Sequence, residues 1–285
     1  MRICRTLDNR TCLIEGNEIV DVTGALRALP SCSYPFPRHD KLIADLDRLR
    51  PLFNEQLRTG ARSNLDGLAL TAPVANPGKI VAAPVNYRKH LEEARSDIGI
   101  SFGNQVAEIK QVGLFLKATS SVVGVSEGIM LRHADRRTDH EIELAVVIGT
   151  EADRVHRDDA LQHVAGYCIG LDITLRGPEE RSLRKSVDTY TVLGPWLVTA
   201  DEIGDPSELE LSLLVNGKQR QKASTAHLIM PIPELIEFAS SYYTLFPGDV
   251  LLTGTPEGVG PVVAGDVISA SISRIGTMTV GVGTA

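Results

Sequence analysis

The chain has 285 residues, a formal net charge of -7, 43% hydrophobic and 23% charged residues, enough apolar material for a sizeable core and unlike the composition of a disordered chain. An acidic balance without a basic stripe argues against nucleic-acid binding. No stretch approaches the roughly 20 apolar residues of a membrane span, and no charged segment followed by an apolar one opens the chain, so a soluble cytoplasmic protein is expected.

Strand-like pieces come first: Arg2 to Arg5 and Cys12 to Glu15 flank the turn Asp8-Asn9-Arg10, and Glu18 to Val22 follows Gly16-Asn17. A proline-rich connector from Pro30 to Pro37 leads to a helical stretch, Lys41 to Arg50. The punctuated segment Ala72 to Gly78 reads as a linker, so residues 1–75 are expected to form a small N-terminal α+β accessory domain and residues 76–285 a larger catalytic one. From Lys79 onward short apolar runs alternate with turn signals. They predict strands at Ile80 to Ala82, Val112 to Lys117, Ile129 to Leu131, Glu141 to Ile148, Ala165 to Leu171, Trp196 to Val198, Leu209 to Val215, Asp249 to Leu252, Val267 to Ile272 and Thr277 to Val282. Helices are predicted at Asn86 to Ala94, Arg157 to Leu161 and Ile232 to Tyr242, the last with a proline at its start. The fold class is therefore mixed β-rich α+β. The cysteines Cys4, Cys12, Cys32 and Cys168 have no C-x-x-C spacing and read as free thiols.

Within the predicted strand Glu141 to Ile148, the side-chain period of two puts Glu141 and Glu143 on one face. Two like charges held together suit a hard divalent cation, although alternating Glu with Ile and Leu also fits a solvent-facing stripe. Asp172 ends an apolar strand, where a carboxylate needs a partner: either Arg176, four residues on, or a cation shared with Glu141 and Glu143. His90 and Glu93 are neighbours at i,i+3 on a helix, a spacing common on solvated faces and equally suited to an imidazole oriented as a base. Lys185 lies in a run dense in cations and hydroxyls, able to hold an anion or to face solvent. The glycine-rich segment Gly254 to Gly260 follows a strand but lacks the ending of a P-loop, and no Gly-x-Ser-x-Gly elbow is present.

Together these segments closely resemble the fumarylacetoacetate hydrolase family from about Lys79 to Val282. The resemblance is carried by Asn86-Tyr87 with His90 and Glu93, Phe115-Leu116-Lys117, Glu141-Ile142-Glu143, Gly166-Tyr167 with Asp172, Lys185 with Asp188, and Gly194-Pro195-Trp196. It continues through Val215-Asn216-Gly217, Leu245 to Val250, Thr253 to Gly260 and Gly265-Asp266. It implies a β-roll catalytic domain, a homodimer, and Mg²⁺ or Mn²⁺, with Ca²⁺ also admissible, held by Glu141, Glu143 and Asp172. It further implies hydrolysis of a carbon–carbon bond in a β-diketo acid, an acylpyruvate such as maleylpyruvate or fumarylpyruvate. His90 and Glu93 would activate water, Lys185 would steady the enolate leaving group, and Tyr87, Lys117, Arg176 and Thr255 would contact substrate. Arg176, Arg181, Arg184 and Lys185 are available for a second carboxylate, with some pairing with Glu179 and Glu180. Glu179 where many relatives carry glutamine, His140 where an aromatic is common, Val192 for a usual proline and a long Arg95 to Gln111 stretch depart from the family pattern and bear on substrate identity. An isomerase or decarboxylase of a related 2-oxo dicarboxylic acid is the alternative within the family, and a non-catalytic dimeric binding protein the alternative outside enzymes.

Overall fold

A computed structural model supplies the fold and describes residues 1–103 and 105–285; of the long stretch Arg95 to Gln111, Asn104 lies outside the described residues. The β-branched run after Glu141 forms the strand Ile142–Ile148, and all of its residues are buried. Its even-numbered side chains, Ile142, Leu144, Val146 and Ile148, enter one apolar cluster, while Ala145 and Val147 enter a second on the opposite face. A strand buried on both faces reads as continuous apolar sequence. The solvent-facing stripe is thereby ruled out for Glu141 and Glu143, which are 4% and 1% exposed.

This strand lies within a sheet of 12 strands, flanked by Val164–Asp172 and Val250–Leu252. Beyond Val164–Asp172 come Thr191–Thr199 and then Arg2–Thr6, with Ile3 opposite Leu197, so the N-terminal strands extend the same sheet. Ile3, Leu13 and Val20 pack into the cluster that holds Ala145, Val147, Cys168 and Leu252. A five-stranded sheet, ordered Lys218–Ser224, Glu210–Val215, Val267–Ile272, Gly276–Thr284 and Ile129–Leu131, packs on the other face. A three-stranded sheet joins Thr138–His140 to Thr174–Leu175 and Gly260–Pro261. No helix among the described residues is long and apolar enough to cross a membrane.

Several elements differ from expectation for identifiable reasons. The helix predicted to stop at Arg50 breaks at Asp45 and then runs from Leu46 to Thr59 through Pro51, because Leu46, Leu49 and Phe53 keep a helical apolar stripe buried beyond the proline. Val112 closes a short helix, Ile109–Val112, and the strand begins only at Phe115. At Arg157 to Leu161 there is no α-helix but a turn followed by the 3₁₀ segment Ala160–His163. The strand Lys218–Ser224 escapes prediction because it is a polar edge strand with only Gln221 and Ser224 buried. The helix Ile232–Tyr242 occupies its predicted bounds.

Candidate active site

The register of two central strands assembles the acidic cluster. Ile142 pairs with Leu171 and Glu143 with Gly170 in an antiparallel ladder, and Asp172 donates its backbone N–H to Glu141 O at 2.9 Å. Glu141 therefore lies across from Asp172, with Glu143 one pleat further along the same face. One carboxylate oxygen from each of the three lies within 4.8 Å of the other two, and all three residues are buried. Three oxygen donors with formal negative charge in so small a space fit a hard divalent cation such as Mg²⁺ or Mn²⁺.

Electrostatics differ sharply within the cluster. Burial works against the charge of Glu141, but Lys185 Nζ at 2.8 Å and Arg176 Nη2 at 2.8 Å outweigh it and hold its carboxyl well below the usual range. Among the described residues no such cation contacts Glu143. Burial, then the charges of Asp172 and Glu141, push its carboxyl well above the usual range, and its Oε2 accepts the Gly254 N–H at 2.6 Å. Gly254 adopts φ +96°, and a Cβ there would stand 2.7 Å from Asn86 Cβ, so this close approach of loop and helix start requires glycine. Asn86 in turn bonds Met230 and Thr253 through its side chain, which pins the beginning of the His90 helix to the glycine-rich loop.

His90 and Glu93 face each other on the helix Arg88–Ser96, Nδ1 to Oε2 at 2.9 Å. The second Glu93 oxygen accepts the Gly258 N–H at 2.9 Å, so the pair is not a solvated surface feature, and His90 is 5% exposed. With its Nδ1 proton directed to Glu93, the imidazole presents Nε2 elsewhere. His90 lines a cavity of about 140 Å³ whose walls also include Glu141, Glu143, Asp172, Arg176, Lys185 and Thr255. Lys185 Nζ bridges Glu141, Asp172 at 2.6 Å and Thr174 Oγ1 at 2.7 Å.

Two residues expected to touch substrate do not line this cavity. Lys117 has a fully buried side chain behind Asp172, bonded to that carboxylate and to Tyr190 O at 2.8 Å, so it positions Asp172. Burial, the largest influence on it, lowers its affinity for a proton against the pull of Asp172. Tyr87 is 1% exposed and borders a separate cleft with Arg88, Lys222 and His227. Arg176 departs from the simple alternative of a partner for Asp172: its Nε goes to Asp139 at 2.7 Å and its Nη2 to Glu141.

Sequence reading missed Asp139, Thr174 and Gln221. Gln221 Oε1 accepts from Ile142 N at 3.1 Å and meets His140 Nδ1 at 3.1 Å, while Nε2 donates to Thr255 Oγ1 at 2.8 Å and Pro256 O at 2.9 Å. Because its amide nitrogen is committed as a donor, Thr255 Oγ1 accepts that bond and keeps its own proton for another partner. Only the polar spacing of an edge strand could have signalled Gln221.

Residues 79–283 match the family model described as fumarylacetoacetate hydrolase, C-terminal. Over 284 residues the chain is 55% identical to a maleylpyruvate hydrolase of Aquipseudomonas alcaligenes, covering 99% of each chain. Its fold is similar to the crystal structure of maleylpyruvate hydrolase from Sphingobium sp. SYK-6 in complex with manganese(II) and pyruvate, with a TM-score of 0.85, 40% identity and 100% of both chains covered. A 2-hydroxyhepta-2,4-diene-1,7-dioate isomerase from Mycobacterium marinum is also similar, with a TM-score of 0.71 at 28% identity, covering 100% of this chain and 98% of that one.

Proposed function

The chain belongs to the fumarylacetoacetate hydrolase family, and on that premise we propose that it is a divalent-metal-dependent hydrolase cleaving a carbon–carbon bond in an acylpyruvate, with maleylpyruvate as the foremost substrate. One observation carries this reading beyond the likeness: an imidazole oriented by a carboxylate and a buried set of three oxygen donors face the same small cavity. Glu141, Glu143 and Asp172 would hold the cation. Bound there, Mg²⁺ or Mn²⁺ supplies a Lewis acid for the oxygens of a 2-oxo acid.

The remaining work falls to side chains of the protein. His90 Nε2 takes a proton from water, with Glu93 fixing the ring and stabilising the imidazolium that forms. The oxygen of that water adds to the acyl carbonyl carbon, the bond to the pyruvyl methylene breaks, and its electron pair leaves in the enolate of pyruvate. The proton held on His90 then passes to the methylene carbon of the enolate, which completes pyruvate and restores the neutral imidazole, and the acyl half departs as a carboxylic acid. Lys185, its three N–H groups bonded to Glu141, Asp172 and Thr174, places positive charge beside the charge developing on the substrate, while Thr255 offers a hydroxyl proton that Gln221 leaves unclaimed. Arg176 fixes Glu141 and lines the cavity. Water activation distinguishes hydrolysis from isomerisation, which has no need of it.

Purified protein with Mn²⁺ is expected to consume maleylpyruvate and release one pyruvate per substrate, followed by loss of diketo-acid absorbance and by coupled pyruvate detection. His90→Ala is expected to lower kcat on the order of 10²-fold or more with Mn²⁺ affinity little changed. No pyruvate from maleylpyruvate, fumarylpyruvate or acetylpyruvate would sink the reading. It includes a homodimer in the cytoplasm, a state that the monomer's elution volume on size-exclusion chromatography would contradict.

A further inference from the structure

Four cations border the cavity, and three of them bond to other groups of the protein. Arg176 is bound to Asp139 and Glu141, and Lys185 to Glu141, Asp172 and Thr174. Arg184 donates Nε to Glu179 O at 2.7 Å and Nη1 to Leu175 O at 3.2 Å. Arg181 is different. Its guanidinium lies over the Phe115 ring, 5.5 Å from the centroid, and makes no hydrogen bond or ion pair with any described residue.

The acids next to it in sequence are engaged elsewhere. Glu179 pairs with Arg136 at 2.7 and 2.9 Å, and the Glu180 side chain accepts the Ser182 N–H at 2.8 Å. Burial is the dominant influence on Arg181 and works against its charge, yet a guanidinium cannot shed its proton near neutral pH. A partly buried cation without a partner is costly, and an arriving anion relieves that cost. Its position suits a ligand that also reaches the acidic cluster. Arg181 and Lys185 are four apart on the short helix Arg181–Lys185, hence on one side about 6 Å apart along its axis, and Lys185 Nζ also sits 5.5 Å from the Phe115 centroid. That spacing matches the span of a short acyl chain, and both cations stand over the apolar Phe115 ring, which lines the cavity.

Resting on the acylpyruvate reading above, we propose that Arg181 receives the distal carboxylate of a dicarboxylic acylpyruvate and sets the preference for dicarboxylate over monocarboxylate substrates. Arg176, Arg184 and Lys185 do not share this role, because their contacts hold the site itself together.

The test is calorimetric binding to the Mn²⁺-loaded protein of 2-oxoglutarate and of 2-oxopentanoate, which have the same carbon chain with and without a terminal carboxylate. The wild-type protein is expected to bind the dicarboxylate more tightly by roughly 10- to 100-fold, the worth of a charge-assisted hydrogen bond or two. Arg181→Gln should erase most of that ratio and Arg181→Lys recover part of it, with thermal unfolding of each variant checked against wild type. A wild-type protein without preference, or an Arg181→Gln variant that retains it, overturns the proposal. Turnover is measured separately: the ratio of kcat/KM on maleylpyruvate to that on acetylpyruvate should fall by a similar factor in Arg181→Gln. Binding preference lost in the variant without turnover of either substrate by wild type would remove the hydrolase reading and still support the role of Arg181.

Discussion

Glu143 is the residue on which the acidic cluster turns. Glu141 and Asp172 each have a lysine in contact, whereas Glu143 meets one backbone N–H and two like charges. Its raised pKa means that the folded protein keeps this proton at pH values where the unfolded chain has lost it. Above the ordinary carboxyl range its ionisation therefore opposes folding, increasingly until the raised value is reached. Glu143→Gln keeps an acceptor for Gly254 and removes the charge. We expect the metal-free variant to melt at a higher temperature than metal-free wild type at neutral pH, with the gap closing as pH falls toward the usual carboxyl range. Mn²⁺ affinity, in contrast, should drop on the order of 100-fold or more, since even outer contacts of a metal ligand are worth 10 to 100. In wild type, proton and cation compete for Glu143, so calorimetric Mn²⁺ affinity should weaken as pH falls. A variant that binds Mn²⁺ as wild type does would remove Glu143 from the ligand set.

At the scale of elements, the site depends on one polar strand holding a central strand and a loop. Gln221, on the edge strand Lys218–Ser224, reaches the first residue of the central strand and the loop that bears Thr255. Gln221→Leu would orphan the Ile142 N–H and the Pro256 carbonyl. At about 1–3 kcal/mol per buried unpaired group, a loss on the order of 2–5 kcal/mol is expected, read as a lower urea midpoint at unchanged slope. KM should also rise, because Thr255 loses the donor that orients it; stability and KM both unmoved would refute the assignment. Sequence periodicity made the central strand legible, since β-branched apolar runs announce themselves, and its period of two put Glu141 and Glu143 together. The register that brings Asp172 to them was not legible, because pairing between strands is a tertiary choice. Nor was Gln221, whose strand has no apolar pattern, nor the turning of Lys117 away from the cavity to brace Asp172, which only packing decides. The four cations near the cavity look alike in sequence, and only their partners separate Arg181 from the rest.

At the scale of the whole molecule, the site and the N-terminal strands share one apolar cluster. Ile3 and Leu13 pack with Ala145, Val147 and Leu252, on the same face of the central strand that carries Glu143. The chain has a single tryptophan, Trp196, on the strand Thr191–Thr199, next to Leu197, which pairs with Ile3, so its fluorescence reports on the junction between the N-terminal strands and the rest of the sheet. A cation bound by the folded cluster alone stabilises the fold by mass action, about 2.7 kcal/mol at a hundredfold excess over Kd. If the junction were loose, that stabilisation would reach the central strands and leave the N-terminal ones behind. A shared core makes the opposite prediction. Addition of Mn²⁺ to the chelator-treated protein should raise the Trp196 fluorescence transition and the far-ultraviolet circular dichroism transition together, as one cooperative step. Leu13→Ala, which empties a buried position some way along the sheet from the acidic cluster, should lower both transitions by the same amount, through a loss of about 2–5 kcal/mol, while the Mn²⁺-induced rise persists. Two separate transitions, with only one responding to Mn²⁺, would show that the N-terminal strands fold apart from the sheet that carries the carboxylates.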